Sequence, residues 1–245
     1  MVGLYKDTGL DVYEAIYYSN LEHVHEVDQV LQWYAAENTR VLDIGCSGGL
    51  HALEFAKRRH SVIGIDIEPS AIQRAKERSR AQVLNVCFQV LDIENDDIIP
   101  LGKFDLIYSI GNVISHLDKY RLYNSLRKVK LCLNSGGTFL FNVYTLQYPF
   151  REVIVAKRPR IFWKRQVDQK TGRICMSGTF LDFGFTELFE VWGYYRYEID
   201  DLLGVLGFRQ IDCSNRLDFC SVASHSTTAP SVYFRATTLA DERMI

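Results

Sequence analysis

The sequence predicts an α/β fold built on a mostly parallel, doubly wound sheet, and three observations predict it. Apolar runs ending at an acidic residue or a glycine recur at Val41–Ile44, Ser61–Asp66, Val86–Leu91 and Phe104–Ile110. Helical stretches lie between them, and strands alternating with helices build a parallel sheet covered on both faces. Beyond Tyr144 the chain changes to aromatic-rich alternation, the period of an antiparallel strand.

Taken in order, residues 1–39 read as a helical lead-in. Leu21, Val24, Val27, Leu31 and Tyr34 recur at helical spacing and predict a face laid on the sheet, behind a cluster of Tyr5, Tyr13, Tyr17 and Tyr18. The core, 40–145, alternates strands and helices. Pro69 suits the first turn of the helix after Asp66. A later helix covers roughly Lys119–Leu133, with Asn134-Ser135-Gly136-Gly137 as its stop, and Thr138–Tyr144 is the fifth strand. Residues 150–197 read as an inserted lid of three antiparallel strands, around Ile161–Arg165, Gly178–Phe183 and Leu188–Tyr195, with a hairpin turn at Asp168–Gly172. Residues 198–245 supply a closing helix ending at Gly207, strands near Arg209–Cys213 and Ser231–Thr237, and a loose loop at Ser221–Pro230. All of this reads as one domain.

Composition narrows the function. The chain has 245 residues, 47% of them hydrophobic, and a formal charge of −2, which leaves no basic footprint for nucleic acid. The run Arg151, Lys157, Arg158, Arg160, Lys164, Arg165 is basic, but alternation puts part of it on a solvated face. No apolar run reaches the ~18 residues of a membrane span, and the start of the chain lacks a signal-peptide core. Six cysteines without a C-x-x-C pair argue against zinc, so no metal is expected, and a cytoplasmic setting is. Cys87 and Cys132 read as small core residues.

The most specific segment is Val41-Leu42-Asp43-Ile44-Gly45-Cys46-Ser47-Gly48-Gly49. A glycine-dense turn from strand to helix lets a ligand approach the backbone closely. A dinucleotide fingerprint starting at Gly45 needs glycine at 47 and 50, where Ser47 and Leu50 stand, and no Gly-Lys-Ser/Thr phosphate loop occurs. Asp66 follows Gly45 by 66 − 45 = 21 positions, a spacing suited to a carboxylate that bridges ribose hydroxyls. Taken alone, Asp66 also reads as a helix N-terminal acid, and Asp92 as solvated loop charge.

With Asp43, Gly45 and Gly49 in place and Ser47 at the usual middle glycine, the loop resembles motif I of the class I S-adenosylmethionine-dependent methyltransferases. That resemblance implies a Rossmann-like, seven-stranded sheet whose last strand is antiparallel, and S-adenosylmethionine as cofactor. It implies that Asp43, Gly45, Cys46, Ser47 and Gly49 form the cofactor loop, that Asp66 holds the ribose and that Ile67 packs near the adenine. By the same resemblance Asp92 accepts from the adenine amino group, Ile93 packs on the ring, and Ile110 and Gly111 border the methyl. The stretch Gly111-Asn112-Val113-Ile114-Ser115-His116-Leu117 resembles glycine/sarcosine and sugar-amine N-methyltransferases, which implies a small-molecule acceptor of the kind found in secondary metabolism.

On that reading Asn112 orients the acceptor, and His116 takes a proton or binds an acceptor oxygen. His116 also reads as an ordinary helix-start residue bonded to backbone. Tyr17, Tyr18 and Tyr195 are candidate pocket walls and Arg196 a partner for an acidic substrate group. The lid aromatics equally build a small core of their own. The leading expectation is N-methylation by a monomer or homodimer; O-methylation and a catalytically silent cofactor-binding protein are the alternatives.

Overall fold

The computed structural model of the chain describes residues 4, 9–17, 21–34, 36–148, 153–157, 160–219 and 231–239. Two helices, α1 (Gly9–Tyr17) and α2 (Glu22–Trp33), precede the sheet. At its centre β1 (Arg40–Ile44) pairs in parallel with β2 (Ser61–Asp66) and with β4 (Phe104–Ser109). β3 (Cys87–Val90) lies parallel to β2, and β5 (Leu133–Thr145) parallel to β4. β11 (Ser231–Thr237) runs antiparallel to β5 and carries β10 (Ile211–Ser214) at its outer edge.

The core order is therefore β3-β2-β1-β4-β5-β11-β10, a seven-stranded sheet in which only β11 is reversed. Strand order turns back between β1 and β4. The crevice beyond their C-terminal ends is where sheets of this kind take ligands.

Alternation along the strands divides the apolar residues between two layers. Leu42, Ile107, Phe139 and Phe141 face one side, where α5 (Lys119–Cys132) contributes Leu122, Leu126 and Val129, and α6 (Arg196–Val205) contributes Ile199 and Leu203. Val41, Leu106, Tyr108 and Leu140 face the other, against α2, α3 (Leu50–Lys57) and α4 (Pro69–Ala81). Burial on both faces explains why these strands are nearly continuous apolar runs.

Four strands, not three, form the insert: β6 (Val153–Lys157), β7 (Arg160–Val167), β8 (Arg173–Phe180) and β9 (Phe185–Tyr194), all antiparallel. The additional strand pairs along β7 in the span before Pro159, where the chain shows no clean alternation. The hairpin turn lies at Asp168–Gly172: the Gly172 N–H donates to the Asp168 carbonyl at 2.8 Å, and the Lys170 N–H to Asp168 Oδ1 at 2.9 Å. The expected strand through Phe183 stops at Phe180, because Phe183 and Gly184 turn back onto the Phe180 carbonyl. The sheet joins the core where Tyr144 and Thr145 of β5 pair in parallel with Gly193 and Tyr194 of β9. Its inner face, with Ile161, Trp163, Ile174, Met176, Phe180 and Val191, packs with Leu4 and Val12.

Three other expectations are corrected. The helix α5 ends at Cys132, close to the expected stop, but the fifth strand begins earlier than Thr138: α5 passes directly into β5, which takes in Asn134–Gly137 and whose register to β4 shifts between Phe104 and Leu106, with Gly136 at φ +73°. Of the expected face of α2, Val27, Leu31 and Tyr34 pack on the core, joined by His23 and Val30, while Leu21 stands exposed at the helix start. Cys132 is buried, but Cys87 is exposed, on the edge strand β3. Tyr5, Tyr18 and the Ser221–Pro230 loop lie outside the described residues. No helix among the described residues is long and apolar enough to cross a membrane.

Besides the β5–β9 backbone pairing, a side-chain hydrogen bond ties the insert to the core. The hydroxyl of Tyr194, a buried side chain, donates to the carbonyl of Leu117. Tyr194→Phe should leave that carbonyl unsatisfied and cost about 1–3 kcal/mol in urea unfolding. An unchanged midpoint would show that the bond carries no net stability.

Candidate functional site

The loop after β1 is folded back onto β2 by its own amides. The Gly45 and Cys46 N–H groups donate to the Ile65 carbonyl at 2.8 and 3.0 Å, and the Gly49 N–H closes the turn onto the Cys46 carbonyl at 2.9 Å. Gly45 has φ +74°, and a Cβ there would lie 2.5 Å from Val113 Cγ2. Ser47 replaces the middle glycine at a left-handed φ of +48°. Such a conformation costs an L-residue about 1–2 kcal/mol; here the Ser47 N–H bond to Asp66 Oδ2, at 2.8 Å, offsets it. Gly49 serves packing: it caps α3 at φ +78°, and a Cβ would meet Ala75 and Phe88 at 2.8 Å.

Asp66 ends β2, accepting from Ser47 on one oxygen and from the Glu68 N–H at 2.9 Å on the other. Burial pushes its carboxyl above the usual range, against those two amide bonds. Asp43 is deeper, only 2% exposed, and burial lifts it to about 7, opposed by the nearby His51 and reinforced by Asp66. Nothing among the described residues pairs with Asp43 Oδ2 or Ser47 Oγ, both buried. His51 meets Glu26 of α2 through Nε2 at 2.7 Å.

Beyond β4 the chain enters a 3-10 turn, Val113–His116, pinned to β5. The Asn112 N–H donates to Asn142 Oδ1 at 2.9 Å, Asn142 Nδ2 donates to Asn112 Oδ1 at 3.2 Å, and the Tyr144 N–H donates to Ser115 Oγ at 2.9 Å. His116 is thereby held in the wall of a cavity, open to its space yet ringed by protein. Desolvation lowers its pKa below the ordinary 6.5, so the imidazole is neutral near pH 7.

These parts surround one cavity of about 360 Å³. Of the residues expected at a cofactor, Asp43, Gly45, Cys46, Ser47, Asp66, Ile67, Asp92, Ile93, Ile110 and Gly111 line it; Gly49 does not. Ile67 is 65% exposed there, bare apolar surface on a cavity wall. Both Asp92 oxygens already accept, from the Glu94 N–H at 2.8 Å and Asn95 Nδ2 at 2.7 Å. His116 lines the cavity, but Asn112 does not; its backbone N–H and its Oδ1 are bonded to Asn142.

The expected acceptor walls fare differently. Tyr195 and Arg196 lie outside the lining: Tyr195 stacks on Tyr197 and donates to Gln169, and Arg196 pairs with Asp200. Tyr194 takes the inward position, so its neighbour points away. Tyr17 ends α1, and Tyr18 is outside the described residues. Sequence reasoning missed Tyr13, Glu14, His51, Glu68 and Glu94 in the lining, and Asn142 and Ser115 behind it. Tyr13 lay in the noted aromatic cluster; the others carry no local signal. No cluster of metal-ligating side chains occurs among the described residues.

Comparison with known proteins places these features in context. Residues 41–137 match the family described as "Methyltransferase domain". The chain is 40% identical over 116 residues to ubiquinone biosynthesis O-methyltransferase of Coxiella burnetii, across 45% of this chain and 46% of that protein. It is 29% identical over 142 residues to ribosomal protein L11 methyltransferase of Burkholderia multivorans, across 57% and 42%. The chain thus spans less than half the length of these curated relatives. Among solved structures, an S-adenosylmethionine-dependent methyltransferase from Clostridium acetobutylicum superposes with a TM-score of 0.76 at 17% identity, covering 95% of this chain and 98% of that one. An amino pentose methyltransferase from Micromonospora echinaspora gives 0.66 at 18% identity, covering 92% and 96%. The overall fold is shared with both.

The glycine geometry has a direct test. Gly45→Ala combines left-handed strain of about 1–2 kcal/mol with overpacking of about 1–3 kcal/mol, whereas Gly204→Ala in α6 meets open space. Denaturant unfolding should show the first markedly destabilised and the second stabilised by up to about 1 kcal/mol. Equal effects would remove the steric account of the loop.

Proposed function

We propose that this chain, with its methyltransferase-domain match over residues 41–137, transfers a methyl group from S-adenosylmethionine to a small-molecule acceptor, at nitrogen. The observation that carries the proposal is the convergence of Asp43, the Gly45–Gly48 backbone and Asp66 on one cavity whose far wall is His116.

The residues present fit that cofactor. Asp43 Oδ2 is a buried acceptor without a partner, at the place where a cationic amino group would satisfy it. A Cβ at Gly45 would collide with Val113, another residue of the cavity wall, so glycine keeps the two walls in place. On this reading Asp66 takes the ribose hydroxyls, Ile67 and Ile93 cover the adenine, Asp92 receives its amino group, and the backbone from Gly45 to Gly48 runs beside the methionyl part. When bound, the sulfonium would supply an activated methyl group to a nucleophile in line with the C–S bond, the sulfur leaving as a neutral thioether.

The protein's own share is position and proton control. Holding reactants in line contributes up to about 7–11 kcal/mol in favourable cases. Neutral His116 accepts a proton from an acceptor that arrives protonated, a role its lowered pKa prepares. Nitrogen is favoured by the resemblance of the segment from Gly111 to Leu117 to N-methyltransferases of small amines. The ubiquinone relative supports the second reading, O-methylation of a phenol. A silent binder would hold cofactor and consume none.

Titration calorimetry tests the donor: wild type should bind S-adenosylmethionine, and Asp66→Ala should weaken it by about 10–100-fold, the worth of charge-assisted hydrogen bonds. Undiminished binding by the variant would sink the assignment.

A panel of amines and phenols, followed by cofactor turnover, then tests His116. His116→Ala should lower kcat by about 10²-fold or more with little change in cofactor affinity. In wild type, kcat should fall as pH drops through a midpoint below 6.5, because only the neutral ring accepts the proton. Near-normal turnover in the variant would make His116 a structural residue.

A further inference from the structure

Arg78 stands outside the cavity lining, yet it joins two of the cavity's walls. From α4, its Nη1 donates to Glu14 Oε1 at 2.7 Å and to the Gly48 carbonyl at 3.1 Å, while Nη2 donates to Glu14 Oε2 at 2.6 Å. One guanidinium therefore binds α1 and the loop after β1 together. A turn earlier, Arg74 Nη1 donates to Asp11 Oδ1 at 2.7 Å and lies 3.7 Å from Glu14 Oε2. Asp11 and Glu14 are three apart and Arg74 and Arg78 four apart, so two helix faces present matched rows of opposite charge.

Gly48 reports how closely these parts approach. A Cβ on it would lie 2.5 Å from Glu14 Oε1 and 2.6 Å from Arg78 Nη1, so the ion pair occupies the space of the missing side chain. On the cavity side α1 contributes Tyr13 and Glu14, and the Tyr13 hydroxyl sits 3.5 Å from where a Cβ of Gly111 would be. A nine-residue helix has little stability of its own. Its place is set by what holds it.

We propose that Arg78 is a positioning residue: its forked guanidinium latches α1 over the cavity and sets how long a bound ligand stays. The two-pronged geometry needs arginine, since an ammonium is a point charge without the planar fork. The Glu14 side chain is 15% exposed and that of Arg78 28%, so salt reaches the pair and weakens the latch.

Hydrogen exchange on the ligand-free full chain tests the latch without a cofactor. The amides of α1 should exchange about tenfold faster in Arg78→Ala, equivalent to about 1.4 kcal/mol, with those of β1 and β4 unchanged. Raising salt from about 0.01 M to about 1 M, which shortens screening from ~30 to ~3 Å, should accelerate α1 exchange in wild type but not in the variant. Arg78→Lys should recover only part of the protection. Unaltered α1 exchange in Arg78→Ala overturns the proposal. So does salt-insensitive exchange in wild type, which decides the matter even if the variant fails to fold.

The retention half rests on the proposed cofactor. S-adenosylmethionine should leave Arg78→Ala about tenfold faster than wild type, with little change in association. Equal dissociation rates would refute retention. If wild type binds none, the cofactor assignment fails while the exchange result still decides the latch.

Discussion

The site depends on the backbone bonds that fold the loop after β1 onto the end of β2. Gly45 and Cys46 share the Ile65 carbonyl, and Ser47 reaches the Asp66 carboxylate. Because β1 and β2 are paired along their length, the loop inherits the rigidity of the sheet centre. That rigidity lets two carboxylates, Asp43 and Asp66, stay in a buried cavity at a desolvation penalty. The raised pKa of each measures the penalty, and a cationic ligand would offset it.

The second wall is built differently. His116 sits on a short 3-10 turn, which has little stability of its own, and three hydrogen bonds to β5 hold it in place: the reciprocal Asn112–Asn142 pair and the Ser115–Tyr144 contact. β5 continues past β4 and pairs with β9, and Tyr194 at the end of β9 returns to the Leu117 carbonyl. The insert and the turn that carries His116 therefore share one support. Movement of the inserted strands would reach His116 through Tyr144 and Leu117.

The positions of carboxylates and glycines were legible because the strand ends that carry them are local features. Asp43, Asp66 and Asp92 each close a run of apolar residues, and each lines the cavity. The end of β9 was misread: Tyr195 was singled out, but Tyr194 closes the strand as the buried ring, and Tyr195 is half-buried at the start of α6, stacked on Tyr197 and bonded to Gln169. Asn112 was legible as a polar residue after β4, but its partner, thirty positions away, was not. The same holds for Arg78 and Glu14, whose pairing across 64 positions leaves no periodic trace.

By itself the sequence determined the parallel core, the order of strand-end carboxylates and the glycine-dense loop, because hydrophobic period and turn chemistry act over a few neighbouring residues. It also determined that a dinucleotide fingerprint is missing, through Ser47 and Leu50. The tertiary structure alone decided which side chains meet at the cavity: that Asn112 serves β5, that Tyr195 faces away, and that Tyr13 and Glu14 come over the loop. Those outcomes follow from packing between elements far apart in the chain, where distance in space is set by the sheet order and not by the spacing of residues.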